Sequence, residues 1–386
     1  MEKQNDNNIP LLALACMVKN ESETIEKTLM SCIDYVDKVI ILDTGSTDDT
    51  QNKIKDICQK KNRELVMKES IFVDFATSRN VLLDHCVGQA QYLLLLDAND
   101  ELLNGSELRQ FCQQYNGDEE SFLLNFNLNN VLDFYTARLV KPGKGWKYFG
   151  VVHEYLARSD GMICKCKIKG INIKQIRTNA NDIQKTVSRF QRDKKLLLEE
   201  TEKEPKNFRS VFYLAQTYSC TQEYELSFKY YDKRTSMGGF EEEIFYSYYK
   251  CGELTEILKK PWEVSFDYYM KAFNHTPRIE PLLNIAKYYK DKNRLLAYMY
   301  CKLAIDLPYP EHLLLFIDSQ KYNFERWITM GVIAYHAAKE IEKTFKINYK
   351  DTEYFTVGKS ANIMALKNST NEQNSDIIKL NLIFYE

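Results

Sequence analysis

Three strongly apolar segments of this chain each end in residues that could do chemistry. The segments 11–18, 38–42 and 92–96 are followed by the sequences KNE, DTGS and DANDE, so Asp43 and Asp97 stand directly at segment ends. If the segments are neighbouring parallel strands, these side chains meet at one sheet edge, where ligands bind in open α/β folds. Carboxylate and amide oxygens there suit a divalent cation, Mn²⁺ or Mg²⁺, and a ligand with hydroxyl and imide donors.

Turns and helix caps use the same residue types, so a purely structural role is the alternative at each position. We prefer that role for Asp49. We prefer it also for Ser46, which nevertheless stays among the candidate nucleotide-binding residues. We favour a functional role for Asp43 and Asp97, because both stand at the edge where binding sites form.

Other nucleotide-binding patterns are missing from the sequence. No GxGxxG follows an apolar segment, which disfavours a dinucleotide-binding fold, and no GxxxxGK[ST] is present, which disfavours a P-loop. Phosphate groups would therefore be neutralised by a metal ion or by basic side chains.

The sequence pattern in the first half of the chain predicts the parallel sheet whose strand ends would carry these acids. The three apolar segments are typical of strands buried on both faces, and amphipathic helical patterns over 21–33 and 47–59 lie between them. Strands that alternate with helices of this length form βαβ units and a parallel sheet. We expect an α/β, Rossmann-like domain over residues 1–180.

The second half of the chain has an almost entirely helical pattern. The small and large residues around Ala215 recur around Ala286, 71 residues later, which is about two tetratricopeptide periods of roughly 34 residues. We predict about three degenerate repeats in an all-α domain over 181–345. Residues 346–386 form a C-terminal extension, in which the alternation of Ile377–Tyr385 predicts a strand.

Composition limits the partners and the location of the protein. Among its 386 residues, 52 are basic and 54 acidic, and the net charge of −2 argues against a protein that coats nucleic acid. The ten cysteines are scattered without a CxxC pair, as expected of buried free thiols in a reducing compartment. Residues 1–8 are polar, and no apolar stretch reaches the roughly 20 residues of a transmembrane segment. We expect a soluble cytoplasmic protein.

Several segments together resemble, in order, the motif series of family 2 glycosyltransferases with the GT-A fold. They are Met17–Glu21, Ile41–Asp48, Ser78–Asn80 and Leu95–Glu101, and Trp146–Glu154 resembles a further motif seen in many of these enzymes. The helical half resembles the repeat region that accompanies some members of the family.

This resemblance implies transfer of a sugar from a nucleoside-diphosphate donor, a UDP-sugar in the first instance, with inversion. It places Val18 and Glu21 in the nucleoside pocket and lets Asp43 accept a hydrogen bond from the base. Arg79 would approach the base or the diphosphate. Asp97 would open the carboxylate motif that meets the ribose and the metal.

The carboxylate motif departs from the family at Asn99, where a second acid usually stands. An asparagine coordinates through its amide oxygen but brings no charge. Asp100 can take over, because some other GT-A transferases use an Asp-x-x-Asp arrangement. We expect Asp97 and Asp100 as the principal acids with Asn99 nearby. His153 is a candidate third ligand, with a hydrogen-bonded strand histidine as the alternative.

Inversion needs a base that takes a proton from the attacking hydroxyl of the acceptor. Glu154 is the first candidate and Asp133 the second. The lysines of the loop 141–147 could approach the diphosphate or belong to a solvated loop.

Two other classes of function compete with this hypothesis. One is a catalytically inactive GT-A domain on a helical-repeat scaffold that binds proteins, and Asn99 keeps that alternative open. The other is a nucleotidyltransferase, which would need a basic, glycine-rich phosphate loop near the first strand; residues 19–21 do not supply one. The repeats could present a protein acceptor or join two protomers, and a glycan acceptor is equally compatible with the sequence.

Overall fold

The computed structural model describes residues 9–128, 132–176, 181–369 and 371–386. The N-terminal residues 1–8, the predicted strand start at Val131 and Thr370 of a polar segment lie outside that part of the chain. The chain divides into two compact units, with the division after Pro205.

The first unit is built around a mixed, mostly parallel sheet. Its strands are β1 (Leu12–Val18), β2 (Lys38–Asp43), β3 (Glu64–Glu69), β4 (Tyr92–Asp97), β5 (Asp100–Leu103), β6 (Ser121–Leu128), β7 (Leu132–Val140) and β10 (Cys166–Gln175). They lie in the order β3-β2-β1-β4-β7-β6-β10-β5. Strands β3, β2, β1 and β4 run parallel, whereas β7 runs antiparallel to β4. A separate antiparallel hairpin joins β8 (Trp146–Phe149) to β9 (Tyr155–Arg158).

Helices of the first unit alternate with the strands from β1 to β4, and two more helices follow β5 and β10. They are α1 (Ile25–Cys32), α2 (Thr50–Lys60), α3 (Phe75–His85), α4 (Gly105–Gln114) and α5 (Asn181–Lys203). Helix α5 belongs to this unit, and its Arg192 guanidinium lies 5.1 Å from the ring centroid of Phe75 on α3. The compact division therefore falls about 25 residues beyond the sequence-based boundary at residue 180.

The central strands are apolar because both of their faces are covered. Residues of β1 and β4 such as Leu14 and Leu94 are fully buried in one core with the inner faces of α1 and α2. In the register, Val18 lies opposite Asp43 and Met17 opposite Asp97. The two acids thus end strands on either side of β1 at the same sheet edge, with their backbones about 10 Å apart at the usual strand spacing.

The second unit is helical, and its first six helices form three consecutive pairs. They are α6 (Phe208–Cys220), α7 (Tyr224–Thr235), α8 (Glu241–Ile257), α9 (Trp262–His275), α10 (Ile279–Tyr289) and α11 (Arg294–Asp306). The first helices of the pairs begin 33 and 38 residues apart, close to the roughly 34-residue tetratricopeptide period. Helices α8 and α9 pack closely at Gly252, where a Cβ would stand 2.4 Å from the Tyr269 ring. The predicted order of an α/β sheet domain and a tetratricopeptide-like helical region is confirmed.

The predicted C-terminal strand is wrong. After the short strand Ile317–Asp318 the chain forms a π-helical turn, Lys321–Glu325, and then α12 (Arg326–Phe345), α13 (Glu353–Asn368) and α14 (Glu372–Ile383). The alternation within 377–385 is misleading, because Ile378 is buried on α14 whereas Tyr385, also buried, lies two residues beyond the end of that helix. The Tyr385 hydroxyl donates to the Gly331 carbonyl at 2.6 Å and so anchors the chain end to α12.

No helix in the described ranges is both long enough and apolar enough to cross a membrane.

Candidate active site

The turn after β2 holds Asp43 in a fixed orientation. Asp43 is fully buried, and its Oδ1 accepts hydrogen bonds from the amides of Gly45 at 2.8 Å and Ser46 at 2.7 Å. Gly45 has φ +102°, a conformation that other residues adopt only with strain. The second oxygen, Oδ2, is buried and has no hydrogen-bond partner among the described residues. An unpaired buried carboxylate oxygen is costly, so it is a ready acceptor for a ligand donor.

The turn after β1 is fastened to the turn after β2. Asn20 has φ 54°. Its side-chain Oδ1 accepts from the Thr47 amide at 2.7 Å, and its backbone amide donates to Ser46 Oγ at 3.0 Å. The Glu21 amide donates to Thr50 Oγ1 at 2.8 Å. These bonds make the two strand-end turns one rigid rim beside Asp43.

Two other residues assigned to the nucleoside lie at this rim in different settings. The side chain of Val18 is buried in the core, and its carbonyl accepts from the Thr44 amide at 2.9 Å. The half-buried Glu21 carboxylate accepts from Thr24 Oγ1 at 2.9 Å. Glu21 therefore has the more exposed side chain of the two.

Two half-buried arginines form ion pairs with the acids that follow β4. Arg79 of α3 pairs through Nη2 with Asp97 Oδ1. Arg138 of β7 places Nη2 3.1 Å from Asp97 Oδ2 and 3.3 Å from Asp100 Oδ2. Asp100 is almost completely buried, and its Oδ2 also accepts from the Asp97 amide at 2.9 Å. The predicted pair of principal acids thus converges on one cationic nitrogen.

The pKa values of these two carboxyl groups are shifted in opposite directions. Burial raises the pKa of each. For Asp97 the guanidiniums of Arg79 and Arg138 outweigh burial and hold its pKa well below the usual range. For Asp100 burial dominates over the attraction of Arg138, and its pKa rises to about 6.

The other two predicted metal ligands contribute less to this cluster. The half-buried Asn99 lies in the turn between β4 and β5, and its carbonyl accepts from the Ile176 amide at 2.7 Å. His153 is exposed in the hairpin turn at φ 52°. Within the ranges that the structure describes, no three His, Cys, Asp or Glu side chains form a group that could hold a metal ion.

Helix α3 positions the hairpin that carries Glu154. Asn80 donates through Nδ2 to the Tyr148 carbonyl at 3.0 Å and accepts from the Tyr148 amide at 2.7 Å. The Arg79 guanidinium lies 5.3 Å from the Tyr148 ring centroid. Its Nε lies 2.7 Å from Glu154 Oε1. Arg79 therefore links the first candidate base to Asp97 in a continuous chain of ion pairs.

The second candidate base and the loop lysines occupy other surroundings. Asp133 is half-buried at the start of β7 and accepts from Asn127 Nδ2 at 2.7 Å. Lys141 packs over the Tyr115 ring, with Nζ 5.3 Å from its centroid. Lys144 Nζ lies 3.9 Å from Glu120 Oε1. These contacts favour the interpretation of Lys141 and Lys144 as part of a surface loop, whereas Lys147 lies in β8.

Sequence reasoning missed Arg138 and gave Asn80 no role. Arg138 is an isolated arginine within a strand, and nothing in its neighbourhood marks it as a partner of Asp97. Asn80 stood next to Arg79 in a recognised motif, so its helical position beside Arg79 was the available signal.

Comparisons with known proteins give partial matches. A search of curated proteins found no match. Among solved structures, glucosyl-3-phosphoglycerate synthase from Mycobacterium tuberculosis, in complex with Mn²⁺, UDP and glucosyl-3-phosphoglycerate, is 18% identical with a TM-score of 0.23. That alignment covers 30% of this chain and 43% of the other. GalNAc-T7 with UDP, GalNAc and Mn²⁺ is 14% identical with a TM-score of 0.25, covering 43% of this chain and 31% of the other.

A third structure aligns with a larger part of the chain. The APC/C hetero-tetramer Cut9-Hcn1 is 14% identical with a TM-score of 0.31, covering 51% of this chain and 40% of the other. The chain thus spans less than half the length of each of these three structures. Residues 16–130, which contain the β1, β2 and β4 strand ends described above, match the sequence model of the family described as Glycosyl transferase family 2.

Proposed function

We propose that the protein is a glycosyltransferase that moves a sugar from a UDP-sugar to a hydroxyl group of a glycan or protein acceptor, with inversion. The observation that carries this proposal is the buried Oδ2 of Asp43, which has no hydrogen-bond partner in the described part of the chain. The imide N–H of uracil can donate a hydrogen bond to such an oxygen. The family match over the same strand ends supports this assignment.

The acids after β4 are suited to the diphosphate end of the donor. Asp97 Oδ2 and Asp100 Oδ2 both lie within 3.3 Å of Arg138 Nη2, so the two oxygens already converge on one cation. Mg²⁺ and Mn²⁺ commonly use one or two carboxylates together with substrate phosphates, and this donor set fits such an ion. Asp97 and Asp100 would hold it, with the Asn99 amide nearby. The ion would offset the charge that develops on the leaving diphosphate.

Glu154 is the base that we assign to the reaction. The acceptor oxygen attacks the anomeric carbon, the bond from that carbon to the diphosphate oxygen breaks, and the acceptor proton passes to the Glu154 carboxylate. The electron pair of the broken bond leaves with UDP. Arg79 pairs with both Glu154 and Asp97, which supports placing base and diphosphate side by side. Asp133 remains the second candidate.

We propose that the helical unit binds the acceptor or a second copy of the chain. Stacked helix pairs form extended surfaces that bind peptides or proteins, and we assign that role to α6–α11. All ten cysteines are free thiols, which supports a reducing compartment such as the cytoplasm. Asn99 is the argument for the alternative of an inactive transferase domain on a binding scaffold, and the family match over residues 16–130 does not favour that alternative.

Thermal unfolding with UDP, GDP and CMP, each with and without MnCl₂, tests the proposal. A ligand at about 100 times its Kd stabilises the native state by about 2.7 kcal/mol, which raises Tm by several degrees. We expect UDP with Mn²⁺ to give the largest rise, and incubation with UDP-sugars to release UDP in the presence of acceptor. Absence of a shift with every nucleotide would instead support the binding-scaffold alternative.

A further inference from the structure

We propose that Arg138 is the resident cation of the two-carboxylate site and that it competes with the divalent ion for Asp97 and Asp100. This inference rests on the proposed function. It makes metal binding depend on the donor, because Arg138 has to leave the carboxylates before an ion can occupy them.

The geometry places Arg138 where an ion would have to bind. A single nitrogen, Nη2, contacts Oδ2 of both acids at 3.1 and 3.3 Å. The arginine side chain is 12% exposed, that of Asp100 2% and that of Asp97 33%. Solvent therefore screens the contact with Asp100 only weakly.

Other contacts hold the guanidinium in this position. Nη1 donates to the Leu95 carbonyl at 3.3 Å, and the guanidinium carbon lies 5.8 Å from the Phe126 ring centroid. The side chain is therefore anchored by β4 and β6, and not only by the carboxylates that it neutralises.

A guanidinium and a divalent ion cannot share these two oxygens. A hard divalent cation binds carboxylate oxygen at about 2.0–2.2 Å, so it would stand beside the positive nitrogen in a poorly solvated site. Like charges at such a distance repel strongly where the dielectric constant is low. Removal of Arg138 would leave two clustered carboxylates without their shared neutralising charge, and their affinity for another cation would rise.

Arg79 differs from Arg138 in its partners. Its ion pairs join Asp97 Oδ1 and Glu154, whereas Arg138 bridges Asp97 and Asp100. Arg79 therefore leaves the Oδ2 atoms that converge on Arg138 available, and we assign competition to Arg138 alone.

The diphosphate of the donor relieves the competition. Its oxygens provide an anionic partner for Arg138 and additional hard ligands for the ion. Metal and donor binding are consequently coupled, and by linkage each must tighten the other by the same factor. Without Arg138 the ion would bind before the donor, and this coupling would shrink.

Titration of Mn²⁺, with free Mn²⁺ measured by electron paramagnetic resonance, tests the competition in the full-length protein. Titrations without nucleotide compare the wild type with Arg138→Gln and Arg138→Lys. Arg109→Gln is the matched control, because Arg109 pairs at 2.9 Å with Asp37, outside the site. We expect Arg138→Gln to bind Mn²⁺ at least tenfold more tightly than the wild type, Arg138→Lys to lie between them, and Arg109→Gln to equal the wild type.

Repeating the titrations with saturating UDP measures the coupling. UDP should tighten Mn²⁺ binding strongly in the wild type and at least tenfold less in Arg138→Gln. Adding Asp100→Asn to Arg138→Gln should abolish the gain, which locates the ion at these acids. If Arg138→Gln does not fold, Arg138→Lys decides, since it must still bind Mn²⁺ at least threefold more tightly than the wild type.

Unchanged Mn²⁺ affinity in the folded variant would overturn the competition while leaving UDP binding intact. Failure of the wild type to bind UDP, measured separately by calorimetry with and without Mn²⁺, would instead overturn the proposed function.

Discussion

The side chain of Asn80 forms two hydrogen bonds with the backbone of Tyr148 and so clamps that residue. Its Nδ2 donates to the Tyr148 carbonyl at 3.0 Å and its Oδ1 accepts from the Tyr148 amide at 2.7 Å. Both side-chain functions are thereby used on one residue of the hairpin. Because Glu154 lies in the turn of the same hairpin, directly before β9, we expect this clamp to fix where the proposed base lies relative to helix α3.

Replacement of Asn80 should therefore impair transfer without impairing nucleotide binding. Asn80→Ala removes both hydrogen bonds, and Asn80→Asp retains only the acceptor. Misplacement of a catalytic group by about 1 Å can cost on the order of 100-fold in rate, so we expect kcat to fall about 10- to 100-fold in Asn80→Ala. The Kd for UDP, measured by calorimetry, should stay within about twofold, because misplacement of the base lowers the rate without removing a contact to the nucleotide.

Asn52→Ala is the matched control for that experiment, because the Asn52 amide donates to Asp49 at the surface of α2. It should leave kcat unchanged. A wild-type kcat in folded Asn80→Ala would show that the clamp does not position the base.

Asp43→Asn should change the base preference of the site. The amide can keep Oδ1 as the acceptor for Gly45 and Ser46, but it replaces the unpaired Oδ2 with a donor. Uracil then meets a donor opposite its own imide N–H, whereas cytosine presents an unprotonated ring nitrogen. We expect the ratio of UDP to CDP affinity to fall at least 30-fold, which corresponds to about 2 kcal/mol.

Calorimetry with both nucleotides on the wild type, Asp43→Asn and Asp49→Asn gives that ratio directly. The control Asp49 is an exposed acid of the same rim and should leave the ratio unchanged. An identical ratio in Asp43→Asn would remove Asp43 from base recognition.

Glu154→Gln should abolish transfer and spare donor binding. The amide keeps the size of the side chain but cannot accept the acceptor proton, and loss of a general base typically lowers rates by 10²–10⁴. Turnover of UDP-sugar in the presence of acceptor would be compared with UDP affinity in the same preparation. Asp133→Asn provides the comparison: if it loses turnover while Glu154→Gln retains it, the base assignment passes to Asp133.

The sequence was informative where chemistry follows directly from strand order. Asp43, Asp97 and Asp100 follow buried apolar segments, and parallel strands bring such ends to one edge. Arg138 could not be found in this way, because the antiparallel register of β7 against β4 brings it beside Asp97 across 41 positions. That register depends on pairing between distant segments, which no local pattern encodes.

The C-terminal error has a different physical cause. A short apolar segment such as 377–385 satisfies both a strand alternation and a helix face. Packing against α12 and α13 decides between them: a Cβ on Gly358 would stand 1.9 Å from the Tyr385 hydroxyl oxygen, so the glycine makes room for that side chain. The space left by a distant glycine cannot be read from the segment itself.

Acid should destabilise the rim beside Asp43, because Asp48 becomes protonated. Burial alone would raise the pKa of Asp48, but hydrogen bonds from Thr50 and Ser22 outweigh burial and lower it to about 2. Its Oδ1 accepts from Thr50 Oγ1 at 2.5 Å and its Oδ2 from the Ser22 amide at 3.1 Å. Since the folded-state pKa is depressed, the ionised carboxylate stabilises the fold above the unfolded-state pKa, and this contribution is lost as the pH falls towards 2.

Urea unfolding of the wild type and Asp48→Asn between pH 6 and pH 3, with Asp49→Asn as the control, measures this contribution. The difference in free energy of unfolding between the wild type and Asp48→Asn should be constant from pH 6 to about pH 5 and shrink below about pH 4. The corresponding difference for Asp49→Asn should not follow that course. A wild-type advantage over Asp48→Asn that persists undiminished at pH 3 would show that the Asp48 charge does not hold the two strand-end turns together.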